Sequence, residues 1–156
     1  MNISTTLSNF KKKHKNKKNQ VIFHKTACKS NKIIDNIINK FLTKKNSFIF
    51  ESVEKRRIRG RYTIIGADPD KIWEFDKKKI HIITNNKKKV IKDSPYTFLK
   101  KLIENFNFPL PKNLPPLCSL LVGYFSYDII RYIEKIPDRC TDDLKIPDIR
   151  LMRPKT

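Results

Sequence analysis

Few residues in this 156-residue chain have the types and spacing that chemistry requires. The three histidines, His14, His24 and His81, are far apart and form no His-x-x-x-His pair or other metal-ligand spacing. The three cysteines, Cys28, Cys118 and Cys140, contain no Cys-x-x-Cys. An odd thiol count argues against a disulfide framework and for a reducing compartment, so a cytoplasmic location is expected. Carboxylates gather at Asp68/Asp70 and at Asp138/Asp142/Asp143, in turn-like or proline-flanked contexts that explain them without general acid-base work. Three glycines leave no phosphate loop, no Gly-x-Gly-x-x-Gly and no nucleophile elbow. From residue chemistry alone, no catalytic residue, metal site or cofactor site is expected.

Charge and composition set the wider bounds. The formal net charge is +20, with 38% hydrophobic residues, a proportion that builds a core. The lysines are spread from Lys11 to Lys155 among Asn and Ile, and arginine is the minority cation. That pattern reads as compositional drift and argues against a nucleic-acid partner, which more often uses arginine forks. No apolar run approaches the ~18 residues of a membrane span, and no signal-peptide core precedes the body. Residues 1–20, with Lys11–Lys18 reading KKKHKNKK, are expected to be a disordered basic tail. An RNA-binding arm is the sharper alternative there, but no aromatic residues interleave the lysines.

The body, residues 21–156, must position whatever function exists. Val21–Phe23 reads as a short strand. Ile33, Ile34, Ile37, Ile38, Phe41 and Leu42 form one apolar stripe of a helix capped by Ser30. Ser47–Val53 reads as a buried strand whose polar end begins at Glu51, and Gly60–Gly66 as a second strand before the turn at Ala67–Asp70. Lys71–Phe75, Lys79–Thr84 and Lys88–Lys92 make a meander, with Asn85-Asn86 as a hairpin signal. Pro95–Phe106 is a helix with Ser94 as cap and Phe98, Leu99, Leu102, Ile103 and Phe106 inward. A proline-rich connection leads to a strand at Leu117–Phe125 and a helix at Tyr127–Lys135, and Asp138–Thr156 reads as largely irregular. Strands in runs with few helices give an α+β class.

Three stretches resemble one known family. Phe50–Glu54 (FESVE) followed by Arg59–Pro69 (RGRYTIIGADP) resembles the Glu-Ser and Gly-Arg-Tyr-Ser signature of anthranilate synthase component I, the large subunit. Leu114-Pro115-Pro116, then Gly123–Asp128 (GYFSYD) with Arg131 and Glu134, resembles its Pro-Pro, Gly-Tyr, Tyr-Asp segment. Leu144–Pro154 (LKIPDIRLMRP) resembles its Leu-Pro-Asp block, and order and spacing agree over about residues 20–154. Two departures stand out: Lys55-Arg56 replaces a Gly-Gly of many relatives, and Leu120 stands where a glycine often precedes Gly-Tyr.

The resemblance implies two antiparallel sheets packed at a steep, orthogonal sandwich-like angle with flanking helices. It implies the amino-terminal domain of a lyase that converts chorismate to anthranilate with release of pyruvate, the first step of tryptophan synthesis. Magnesium and the chorismate contacts belong, in that family, to a carboxyl-terminal domain expected to be absent here, so the isolated chain should be catalytically silent. Implied partners are that missing domain, a glutamine amidotransferase subunit supplying ammonia, and tryptophan as feedback inhibitor. For the inhibitor the resemblance points to Ser52, with Glu51 beside it. Aminodeoxychorismate synthase of the folate pathway is the nearest alternative, although Glu-Ser-Val-Glu leans toward the tryptophan enzyme. A basic nucleic-acid-binding module and a free-standing tryptophan sensor are the other readings.

Overall fold

The computed structural model describes residues 5–16, 20–27, 30–51, 62–77, 79–106, 110–112, 114–115, 118, 120–137, 139 and 141–155. Its centre is a five-stranded antiparallel sheet of β3 (Lys71–Asp76), β4 (Lys79–Thr84), β5 (Lys87–Lys92), β6 (Val122–Phe125) and β7 (Ile149–Arg153), in the spatial order β5-β4-β3-β7-β6. A two-stranded antiparallel sheet precedes it, β1 (Phe48–Glu51) paired with β2 (Thr63–Gly66). Three α-helices, α1 (Leu7–Lys15), α2 (Asn31–Leu42) and α3 (Pro95–Phe106), complete the α+β class expected from the sequence.

The meander β3-β4-β5 forms where apolar alternation meets turn chemistry. Asn85 and Asn86 both take positive φ, 49° and 61°, the conformation of a tight hairpin turn whose twist matches its strands. Alternation then sends Trp73, Phe75, Ile80, Ile149 and Leu151 to one face, where they form the buried core. Phe75 and Ile80 lie directly across from each other and are fully buried. Phe98, Leu99 and Leu102 of α3 cover this face, and the Phe75 and Phe98 rings meet edge-on with centroids 5.9 Å apart. Ile103, expected inward, is instead exposed.

Strand β7 is the main surprise. Its segment was expected to be irregular, yet it lies between β3 and β6 and pairs with both. Pro147 and Pro154 flank the strand rather than interrupt it, and Ile149 and Leu151 supply the buried side of a period-two pattern. Close approach of β6 to β7 depends on Gly123, where a Cβ would fall 1.7 Å from the Arg150 carbonyl oxygen.

Other expectations are corrected. The segment expected to be a disordered tail contains α1, whose Thr6 hydroxyl accepts from the Asn9 amide at 3.4 Å. Its last turn carries Lys12, Lys13, His14 and Lys15 on the negative end of the helix dipole. Val21–Phe23 is not a strand, although the adjoining His24 forms an isolated bridge. Tyr127–Tyr132 winds as a 3-10 helix, shorter than the helix expected. Strand β1, expected to be buried, leaves Phe50 exposed, because β2 is its one strand partner among the described residues.

Helix α2 forms as expected with Ser30 at its N-cap position, and it packs on β1 and β2. Ile38 and Phe41 are half-buried there, while Ile33, Ile34, Ile37 and Leu42 of the same stripe remain exposed. Lys44 ties the end of α2 to the turn after β2 through Asp68, while resting over the Phe41 ring. Among the described residues, no helix is long and apolar enough to cross a membrane.

Candidate functional site

The residues implicated by sequence fall in two regions. Glu51 closes β1, opposite Thr63, and is exposed. Ser52 lies outside the described residues, as do Glu54, Lys55-Arg56 and the Arg59-Gly60-Arg61 stretch. The strand pair nevertheless fixes where the chain leaves β1, at Glu51, and re-enters at β2, at Thr63, and the Phe48 and Phe50 rings lie 5.1 Å apart along β1.

The second region joins the other two motif stretches. Gly123, Tyr124 and Phe125 run along β6, Ser126 holds the N-cap position of the 3-10 helix, and Asp148 immediately precedes β7. Asp148 binds three elements at once. Its amide donates to the Phe75 carbonyl at 2.7 Å, and its own carbonyl accepts from the Ser126 amide at 2.7 Å. Its Oδ2 accepts from the Tyr132 hydroxyl at 2.6 Å and from the Lys77 amide at 3.0 Å. Burial, followed by this carboxylate contact, raises the Tyr132 phenol well above its ordinary value. Tyr132 therefore stays a neutral donor, which locks the 3-10 helix to β7. Sequence reasoning quoted both stretches but did not single out Tyr132 or Asp148; a Pro-Asp before an alternating run was the available signal.

Arg131 holds the far end of the same helix. Its Nε donates to Asp128 Oδ1 at 2.9 Å, and Nη1 donates to the carbonyls of Ile136 and Pro137 at 3.3 and 3.0 Å. At the other end of β7, Arg153 grips Asp70 with a two-pronged contact, Nε to Oδ1 at 2.7 Å and Nη2 to Oδ2. The guanidinium hydrogen bond holds the Asp70 carboxyl below its ordinary range, and Asp70 in turn raises Arg153.

On the sheet face away from α3, Tyr124, Arg150, Glu74 and His81 stand in one cross-strand row. The Glu74 carboxylate lies 3.7 Å from Arg150 and 3.5 Å from Lys88, and Arg150 donates to Asn46 Oδ1 at 3.0 Å. His81 Nδ1 is enclosed without a hydrogen-bond partner among the described residues. Among the described residues, no three His, Cys, Asp or Glu side chains converge as a metal site. These groups pair, orient and pack; none sits as a nucleophile beside a base.

The comparisons add what geometry does not carry. No family profile matches the chain. Anthranilate synthase component 1 of Cereibacter sphaeroides is 29% identical over 155 residues, which are 96% of this chain and 31% of that protein. The component 1 of Thermus thermophilus is 34% identical over 70% of this chain and 22% of its own length. A rice (Oryza sativa subsp. indica) anthranilate synthase alpha subunit 1, chloroplastic, is 35% identical over 67% of this chain and 20% of its own. The chain belongs to the anthranilate synthase component 1 family. It spans about a third or less of the length of these relatives. The family resemblance carried by the motif stretches thus holds across most of this chain, on the two sheets and the 3-10 helix described above.

Proposed function

We propose that the chain is the amino-terminal scaffold of an anthranilate synthase large subunit and carries part of its tryptophan feedback site. In this reading the whole enzyme turns chorismate and glutamine-derived ammonia into anthranilate and pyruvate, opening tryptophan biosynthesis. The observation that carries the reading is the similarity to proteins of that name over nearly the whole chain at 29% identity, and over two thirds of it at 35%. The magnesium ligands and chorismate contacts belong to the remainder of the longer relatives, and a glutamine amidotransferase subunit delivers the ammonia.

This chain's own contribution is positional. Strand β1 ends at Glu51, opposite Thr63, and Ser52 is the next residue in sequence. A hydroxyl and backbone groups at a strand end can take an amino-acid head while apolar neighbours shelter a ring. The test is a fusion of this chain to the non-matching portion of the Thermus thermophilus relative, followed by anthranilate fluorescence. The fusion should make anthranilate and be inhibited by tryptophan, Ser52→Ala should relieve the inhibition, and the isolated chain should be silent. Turnover by the isolated chain, or inhibition unchanged by Ser52→Ala, refutes the reading.

A further inference from the structure

The five-stranded sheet ends in two unlike edges. At one, β5 presents Lys87, Lys88, Lys89 and Lys92, all exposed. Lysines on an edge strand keep another strand from pairing with it, because their charge would have to leave water. At the other edge, β6 (VGYF) carries no charge. Its Tyr124 and Phe125 are 38% and 51% exposed. They stand on opposite faces of the sheet, Tyr124 across from Arg150 and Phe125 across from Ile149. The contrast extends past the strand, since residues 113–134 are the longest lysine-free run in the chain.

The backbone of this edge is open as well. The Ser126 amide donates to the Asp148 carbonyl, just ahead of β7. Successive residues of an antiparallel ladder turn their amides to alternate sides, so the Phe125 amide points away from β7 and off the sheet. On β5 the Asn85-Asn86 turn closes the Thr84–Lys87 pair, and the same alternation turns the Val90 amide outward.

We propose that β6 receives a further, uncharged strand, supplied by the part of the large subunit that lies outside this chain's match to its relatives. The inference rests on the amino-terminal reading given above. The Cereibacter sphaeroides relative matches 96% of this chain with 31% of its own length, so most of such a protein lies outside the match. A strand in the same polypeptide meets the edge at high effective concentration, so a four-residue ladder suffices. A second copy fits worse. Two chains of +20 repel, and four residues bury far less than the ~1,600 Å² of a stable interface. The added strand bonds the Phe125 amide and covers both exposed rings, one on each face.

The test compares the 156-residue chain with its fusion to the Thermus thermophilus portion. Hydrogen exchange at the Phe125 amide should be about a hundredfold slower in the fusion, while the Val90 amide exchanges alike in both. Phe125→Pro removes the outward amide and leaves the bonds to β7, and Val90→Pro does the same at the lysine-guarded edge. Neither should change the circular dichroism spectrum of the 156-residue chain. In the fusion, Phe125→Pro should lower anthranilate formation at least about tenfold, and Val90→Pro less than about twofold. An active fusion in which the Phe125 amide is not slowed, or in which the two prolines act alike, overturns this inference and leaves the amino-terminal reading standing. A fusion that makes no anthranilate and leaves Phe125 fast removes both. Self-association of the 156-residue chain that Phe125→Pro abolishes gives the edge to a second copy and likewise overturns the assignment.

Discussion

Replacing Asp148 by alanine removes the acceptor that holds the 3-10 helix and the β3 turn to the start of β7. Two hydrogen bonds go, from the Tyr132 hydroxyl at 2.6 Å and the Lys77 amide at 3.0 Å. A bond to a charged acceptor contributes about 1.5–3 kcal/mol. Asp148 is only half-buried, so the low end applies to each bond, and the sum is about 3 kcal/mol. Both donors converge on one oxygen, Oδ2. An asparagine can place its carbonyl there and keep both bonds, losing only the charge assistance, about 1 kcal/mol. With a urea slope of about 2 kcal/mol per molar for a chain of this size, the midpoint should fall by about 1.5 M for Asp148→Ala and about 0.5 M for Asp148→Asn. A double-mutant cycle with Tyr132→Phe should return a coupling of about 1.5 kcal/mol. The reasoning is refuted if alanine costs no more than asparagine, or if the coupling is below about 0.5 kcal/mol.

Further outcomes follow from the same geometry. Because the folded-state Tyr132 value is raised, its contribution is present in full below the free phenol value near 10 and is lost as pH rises through the raised one. Alkaline absorbance titration should therefore show a tyrosine that ionises only as the chain unfolds, and Tyr132→Phe should remove it. Because Asp70 is depressed by Arg153, its contribution is present above the ordinary value near 3.9 and is lost as pH falls through the lower one. Asp70→Asn should cost less than about 1 kcal/mol at neutral pH, the pair being part-exposed, and a gap that fails to close in acid contradicts this. Asn86→Gly should stabilise by about 0.5–1 kcal/mol in urea denaturation, since Asn86 is held at φ 61°, and a loss instead would contradict the turn assignment. Gly123→Ala should destabilise by about 3 kcal/mol, because the added methyl collides with rigid Arg150 backbone; a stable, unchanged sheet would show that β6 docks elsewhere.

The local parts of the fold were legible because their signals are local. Asn85-Asn86 announced the hairpin, and the spacing of Phe98, Leu99 and Leu102 announced the covering face of α3. Strand β7 was not legible because its reason is distant: Ile149 and Leu151 are strand residues by virtue of Phe75 and Trp73, more than seventy positions earlier. The α2 stripe was read correctly as apolar, but sequence could not tell which part of it the β1-β2 pair would cover. At the candidate site, Glu51 and Ser52 came only from likeness to a family. Asp148 and Tyr132 emerge only when β7 is in place, since they stand sixteen positions apart in the sequence.

The order of strands has a consequence for how the molecule is made. The strand that bridges β3 and β6 is made after both of its neighbours, and β6 has no other strand partner among the described residues. Until Ile149–Arg153 emerges, the nascent chain holds a three-stranded ribbon and a stray edge, with Phe75 and Trp73 open on one flank. Cutting the chain just before Ile149 would therefore cost two strands, and chaperone dependence should concentrate in the interval before Ile149–Arg153 emerges.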